Sequence, residues 1–231
     1  MANVTIVTPM RDSAAKISAY IGRVNALEHD PAGLQVIVVE GDSVDDTWQR
    51  LQCWAANDSR VTVLKCDTGQ PRFGSVVSPL RFWILATTFN AGLEAVYLTW
   101  SSHVLFLPDD IEYEPDMLAR LLARDKSIVS PFVFIRERRQ FYDTWAFQQE
   151  GGQAFDAFKL ADVPARFGDS LVRMDSVGGV MLSHAAVLRA GVRYGMETVD
   201  RGYCFAARAR GFSVWADPTV TVWHPLPEHL R

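Results

Sequence analysis

The chain has 231 residues, of which 48% are hydrophobic and 22% charged, and a formal net charge of −4. That balance suits one globular domain with a sizeable core, excludes wholesale disorder, and gives no overall electrostatic reason to bind nucleic acid or an anionic membrane. Cys53, Cys66 and Cys204 are too widely spaced for a CxxC zinc site or a disulfide framework, no apolar run approaches the roughly 20 residues of a membrane span, and MANVTIVTP lacks the features of a signal peptide, so the expected location is cytoplasmic.

Val4 to Thr8 (VTIVT) is apolar and β-branched, the pattern of a strand buried on both faces, and Ala14 to Leu27 repeats apolar residues at helical spacing. Gln35 to Glu40 (QVIVVE) predicts a second strand, followed by GDSVDDT, in which Asp45 or Asp46 can cap the helix TWQRLQCWAA. Val61 to Cys66 predicts a third. Strands of this kind alternating with helices imply a doubly wound, mostly parallel sheet flanked by helices, a Rossmann-like α/β class. Neither GxGxxG nor GxxxxGK[ST] follows the first strand, which excludes the dinucleotide fingerprint and the P-loop. Residues 67 to 79 are rich in Gly, Pro and Ser and predict a loop, and Leu80 to Tyr97 predicts a long helix carrying Arg81 and Asn90.

His103 to Pro115 reads HVLFLPDDIEYEP: a short apolar strand that ends in Asp109 and Asp110. Two carboxylates at the carboxyl edge of an α/β sheet stand where such folds bind ligands, although an Asp pair before a proline also suits the start of a helix. A helix from Pro115 to Arg124 and a strand from Ser127 to Phe134 continue the alternation. Residues 135 to 170 break it, and predict an irregular strand-and-loop insertion facing the active edge, where loops commonly select substrates. Its Arg136, Arg138 and Arg139 are the local argument for a DNA acceptor; a solvated charged face is the alternative. Leu171 to Val177 and Gly179 to Ser183 predict strand pieces around Gly178 and Gly179, followed by a helix from Ala185 to Ala190. Thr198 to Ala209 predicts the last helix; Ser213 to Trp215 and Thr219 to Trp223 predict two short strands ending at His224.

Taken in order, these segments resemble the GT-A glycosyltransferases. VTPMRD is similar to the opening strand of that fold, and VIVVEGDSVDDT to its nucleotide-binding signature, with Glu40 standing where the first Asp would be. LFLPDD resembles the DXD motif with Pro108 at the first acidic position. SVGGVMLSHAAVLRAG, METVDRGYCFAARARGF and TVTVWH are similar to the glycine-rich segment, the helix bearing a catalytic acid, and the terminal strand whose His completes a metal shell. DSVGGVMLSHAAVLRAG, FYDTWAF and the closing VWH look closest to the fungal mannan polymerase subunits and their bacterial or viral relatives, with the broad family 2 glycosyltransferases a near second.

The resemblance implies a single GT-A domain over 1–231, with a nucleotide-binding half at 1–110 and an acceptor-binding half at 111–231. It implies transfer of a hexose or pentose from a UDP- or GDP-sugar to a hydroxyl of a glycan, a small molecule, a protein or a modified DNA base, assisted by Mn²⁺ or Mg²⁺. Asp110 and His224 would be metal ligands with Asp109 supporting, a donor set that suits a hard divalent cation. Thr8, Pro9, Arg11, Glu40 and Asp42 would line the nucleoside pocket, Arg81 and Asn90 would approach the diphosphate, and Asp175, Gly178 and Gly179 the donor sugar. Either Asp200 or Glu197 would be the catalytic carboxylate. A nucleotidyltransferase and a non-catalytic nucleotide- or sugar-binding module are the competing readings.

Overall fold

The computed structural model describes residues 2–74 and 77–226; positions 75 and 76 of the expected loop at 67 to 79 lie outside the described residues. Val4–Met10 (β1), Leu34–Glu40 (β2), Val61–Lys65 (β3) and His103–Phe106 (β4) form a parallel array in the order β3-β2-β1-β4. Ile17–Asn25 (α1), Thr47–Asn57 (α2) and Pro79–Glu94 (α3) are the connections. Successive residues of a strand face opposite sides. Ile6 and Val36 therefore join Tyr20, Leu51 and Trp54 of α1 and α2 in one core, while Val7 and Ile37 join Phe82, Phe89 and Leu93 of α3 in another. Gly92 lets α3 lie directly on the sheet, since a Cβ there would come within 2.6 Å of Val7.

Past β4 come Met117–Ala123 (α4), Ile128–Ile135 (β5), the two-residue strands Gln140–Phe141 (β6) and Gln148–Gln149 (β7), and the short helix Val163–Phe167 (α5). Val172–Ser176 (β8), Met181–His184 (β9), Ala185–Arg189 (α6), Val199–Arg208 (α7) and Val214–His224 (β10) complete the chain. The sheet continues from β4 as β9-β5-β10-β8-β7, with β6 on β5. Most strands run the same way, but β9 lies antiparallel between β4 and β5, and β8 runs antiparallel to β10. The strand pieces around Gly178 and Gly179 thus belong to different parts of the sheet.

Two expectations need correction. The terminal pair of strands is one strand with a bulge between Asp217 and Thr221. Pro218 interrupts the ladder, and the buried Asp217 holds the chain together by accepting from Thr219 and from Arg124 of the neighbouring turn (2.6 Å). The insertion at 135 to 170 is also more than a loop. Phe141, Phe147, Phe155 and Phe158 are buried against Phe132 and Phe134 of β5 in edge-to-face and stacked pairs, an aromatic extension of the core beneath α3.

Because β1, β2, β4, β5 and β10 are parallel, directly or through β9, their carboxyl ends all reach one edge. Backbone bonds in both directions between Glu112 and Trp223 (2.9 and 2.8 Å) then tie the stretch after β4 to the end of β10.

Candidate active site

A cleft of two compartments, about 650 and 260 Å³, opens at this edge. Pro9, Arg81, Leu85, Asp109 and Asp110 line both. The smaller lies beside the ends of β1 and β2, and the larger reaches Tyr142, Asp143, Gly179, Asp200 and His224.

The Glu112–Trp223 pairing brings Asp110 Oδ2 to 3.6 Å from His224 Nε2, although 114 positions separate the residues. His224 Nδ1–H donates to the Pro225 carbonyl (2.5 Å), and its ring stacks on Tyr142 with centroids 4.0 Å apart. That bond fixes the ring's orientation and turns Nε2 toward the Asp110 carboxylate. Asp109 faces differently. Its carbonyl accepts from Arg23 (2.7 Å), and its carboxylate lies 3.7 Å from Lys16, with Oδ2 buried and lacking a hydrogen-bond partner among the described residues. Burial raises its pKa, and the neighbouring Asp110 charge adds to this.

Among the described residues no group of three or more His, Cys, Asp or Glu side chains could enclose a metal ion. An imidazole and a carboxylate at the mouth of a nucleotide-sized cleft nevertheless fit a hard divalent cation, because Mg²⁺-type sites commonly use one or two protein ligands and take the remainder from phosphate oxygens and water.

Deeper in the larger compartment are two more carboxylates. A Cβ on Gly178 would lie 2.8 Å from Asp143 Oδ2 and 3.0 Å from Asp200 Oδ2, as well as 2.4 Å from Ala146 Cβ. Only glycine fits where the chain crosses β5, and the two oxygens flank that point. Burial, then the Asp143 charge, pushes Asp200 up to about 7; the Gly179 N–H, Arg81 and the Tyr194 hydroxyl favour its charged form and offset this only in part. Asp143 is likewise raised by burial. Val199, immediately before Asp200, has φ of +43°, a left-handed conformation that strains a β-branched residue. Glu197, the other candidate acid, is exposed and lines neither compartment. Asp143 was missed in the sequence; it lies inside FYDTWAF, and its only signal was a carboxylate set among aromatics and arginines.

The remaining expected residues fall into two groups. Pro9, Arg11 and Asp42 line the smaller compartment. Arg11 donates to the Gln70 carbonyl (2.9 Å) and lies 3.8 Å from Asp42. Burial alone would raise the Asp42 pKa, but hydrogen bonds from Thr68 and Gly69 outweigh it and hold the carboxyl below its ordinary value. The second group serves the scaffold. The Thr8 hydroxyl is fully buried between Tyr20 and the Leu107 carbonyl, and Glu40 is buried against Lys65 and the Ser43 N–H. Asn90 uses its side-chain amide on the backbone N–H and carbonyl of Tyr194 (2.9 and 3.0 Å), fastening α3 to the segment before α7. Asp175 accepts from Gly151 and Gly152 and pairs with Arg208, away from the cleft. Of the arginine cluster, Arg138 lines the larger compartment, while Arg136 pairs with Glu112 and both Arg136 and Arg139 lie over Trp223.

No family model matches the chain. It is 24% identical over 272 aligned positions to the mannan polymerase II complex anp1 subunit of Schizosaccharomyces pombe, covering 96% of this chain and 63% of that one. Among solved structures it superposes on residues 1–349 of S. aureus TarS with a TM-score of 0.65 at 12% identity, over 97% of this chain and 60% of that one; TarS is also known in complex with UDP-GlcNAc. The mannosyltransferase PcManGT of Pyrobaculum calidifontis, solved with GDP-Man and Mn²⁺, gives a TM-score of 0.65 at 15% identity over 98% of this chain and 57% of that one. The chain spans about six tenths of the length of these relatives. Its fold is the GT-A fold, a mixed, mostly parallel sheet with flanking helices.

Proposed function

We propose that the protein is a glycosyltransferase that moves a sugar from a nucleotide-sugar donor to a hydroxyl acceptor, with a divalent cation held at Asp110 and His224. The observation that carries this reading is the approach of those two side chains, from distant parts of the chain, at the junction of the two compartments.

The nucleoside occupies the smaller compartment beside Pro9, Arg11 and Asp42, whose shape is held by the Thr68 and Gly69 bonds. The diphosphate lies at the junction, where Arg81 offers a fixed positive charge. When bound, Mn²⁺ or Mg²⁺ supplies Lewis-acid neutralisation of the departing diphosphate. His224 and Asp110 hold that ion, and the Tyr142 stack keeps the imidazole in place. Asp109, buried against Lys16 and Arg23, shapes the turn that presents Asp110.

The donor sugar and the acceptor share the larger compartment. As the acceptor oxygen bonds to the anomeric carbon, the bond from that carbon to phosphate breaks, the diphosphate keeps the electron pair, and the acceptor proton passes to Asp200. A base poised near neutrality suits this task. The donors named for the structural neighbours, UDP-GlcNAc and GDP-Man, set the first panel to test. Release of UDP or GDP from such donors, dependent on Mn²⁺ and abolished by Asp110→Ala, is the expected result. Absence of any turnover, together with metal-independent nucleotide binding, would favour a non-catalytic binding module.

A further inference from the structure

Asp143 has no part in holding the ion or taking the proton, yet its side chain is as firmly set as either group. Its Oδ1 accepts the Ala146 N–H (2.9 Å), closing a turn whose Phe147 N–H returns to the Asp143 carbonyl (3.2 Å). The Ala146 carbonyl takes the buried Ser176 hydroxyl (2.6 Å), and Phe147 is locked in the aromatic core. Trp145, in the same turn, stacks on Phe82 at 4.8 Å, and the Arg201 guanidinium lies 5.1 Å from its ring. The turn is thereby clamped to α3 and α7. With Oδ1 engaged, Oδ2 is the atom turned toward Gly178, within 3.0 Å of the same point as Asp200 Oδ2, so the two oxygens are less than about 6 Å apart.

A hydroxyl oxygen sits about 2.7 Å from a carboxylate oxygen that accepts from it, and neighbouring hydroxyls on a carbon chain or ring are about 3 Å apart. Two adjacent hydroxyls are therefore close enough together to be met by this pair, one by each carboxylate. A single hydroxyl has one proton to donate and, while both carboxylates are charged, can answer only one of them. We propose that Asp143 is a second hydroxyl-binding carboxylate of the reacting centre, and that the acceptor is a vicinal diol, a saccharide or polyol, in which Asp143 holds the hydroxyl next to the reacting one. The proposal rests on the glycosyltransferase reading. It disfavours acceptors with one isolated hydroxyl, such as a hydroxymethylated base or a serine side chain.

The test uses the donor that the wild-type chain hydrolyses or transfers, with methyl hexopyranosides and their monodeoxy analogues as acceptors. Removing the neighbouring hydroxyl from the acceptor should raise the wild-type acceptor KM roughly tenfold to a hundredfold, the loss expected for a hydrogen bond to a charged group. Asp143→Asn keeps an oxygen for the Ala146 N–H, so its turn and melting midpoint should persist. It should raise the KM of the diol acceptor by a similar factor, leave the donor KM unchanged, and make diol and deoxy acceptors equivalent. The wild-type comparison of diol and deoxy acceptors needs no variant and stands even where Asp143→Asn folds poorly. A raised donor KM or Mn²⁺ requirement in Asp143→Asn would overturn the proposal, as would wild-type preference for hydroxymethylated duplex DNA or a serine peptide over every saccharide. Failure of the wild-type chain to cleave any nucleotide sugar would instead sink the glycosyltransferase reading itself, and this inference with it.

Discussion

Asp200→Asn should inactivate the protein and stabilise it. The folded-state pKa of Asp200 is raised from 3.8 to about 7, so between those values the folded state binds a proton that the unfolded state has released. By linkage, wild-type stability falls as pH rises through that window. Three pKa units at 1.36 kcal/mol each set an upper bound of about 4 kcal/mol. Arg81 and the partial opening of Asp200 to the cavity bring the expected figure to roughly 1–3 kcal/mol. Asparagine carries no charge to desolvate and keeps an oxygen for the Gly179 N–H. Urea unfolding at pH 5 and pH 8 measures the effect: the variant should be more stable than wild type at pH 8, and the gap should shrink at pH 5. A variant less stable than wild type at pH 8, or a gap independent of pH, would show that Asp200 is an ordinary helix-start carboxylate and that its burial exacts no charge penalty. The same titration should appear in activity, with wild-type kcat/KM rising with pH through about 7 as Asp200 loses its proton.

Gly178→Ala should lower turnover at least tenfold and cost about 1–3 kcal/mol, since the added methyl meets Ala146 and both carboxylates; kinetics and thermal melting check the two effects. Asn90→Ala should cost about 1–3 kcal/mol in chemical denaturation by leaving the Tyr194 backbone groups unpaired, with little change in donor KM. Glu197→Gln should keep wild-type turnover, because Glu197 is exposed outside the cleft, and loss of activity there would return it to the reaction.

The parallel half of the fold was legible because β1, β2 and β4 are short apolar runs buried on both faces, and nothing in them competes with that reading. Asp110 and His224 were legible as strand-end residues, since parallel strands bring their carboxyl ends together whatever their separation in sequence. What was not legible depends on contacts between segments. Phe141, Phe147, Phe155 and Phe158 follow neither a helical nor a strand period, so their shared core was invisible until β5 was placed beneath them. Glu40 and Asn90 sit at positions that look like ligand contacts, but Lys65 and the Tyr194 backbone claim their polar atoms. The approach of Asp143 and Asp200 to one point depends on the fold bringing both against the Gly178 backbone, where glycine leaves room for them.

The central claim is that Asp110 and His224 hold one cation beside a bound nucleotide. Calorimetric titration of UDP and GDP into the wild-type chain, with and without Mn²⁺, tests it most directly against Asp110→Ala and His224→Ala. The account predicts that Mn²⁺ tightens binding of one nucleotide at least tenfold in wild type and has little effect in either variant. Equal Mn²⁺ enhancement in wild type and both variants would contradict it.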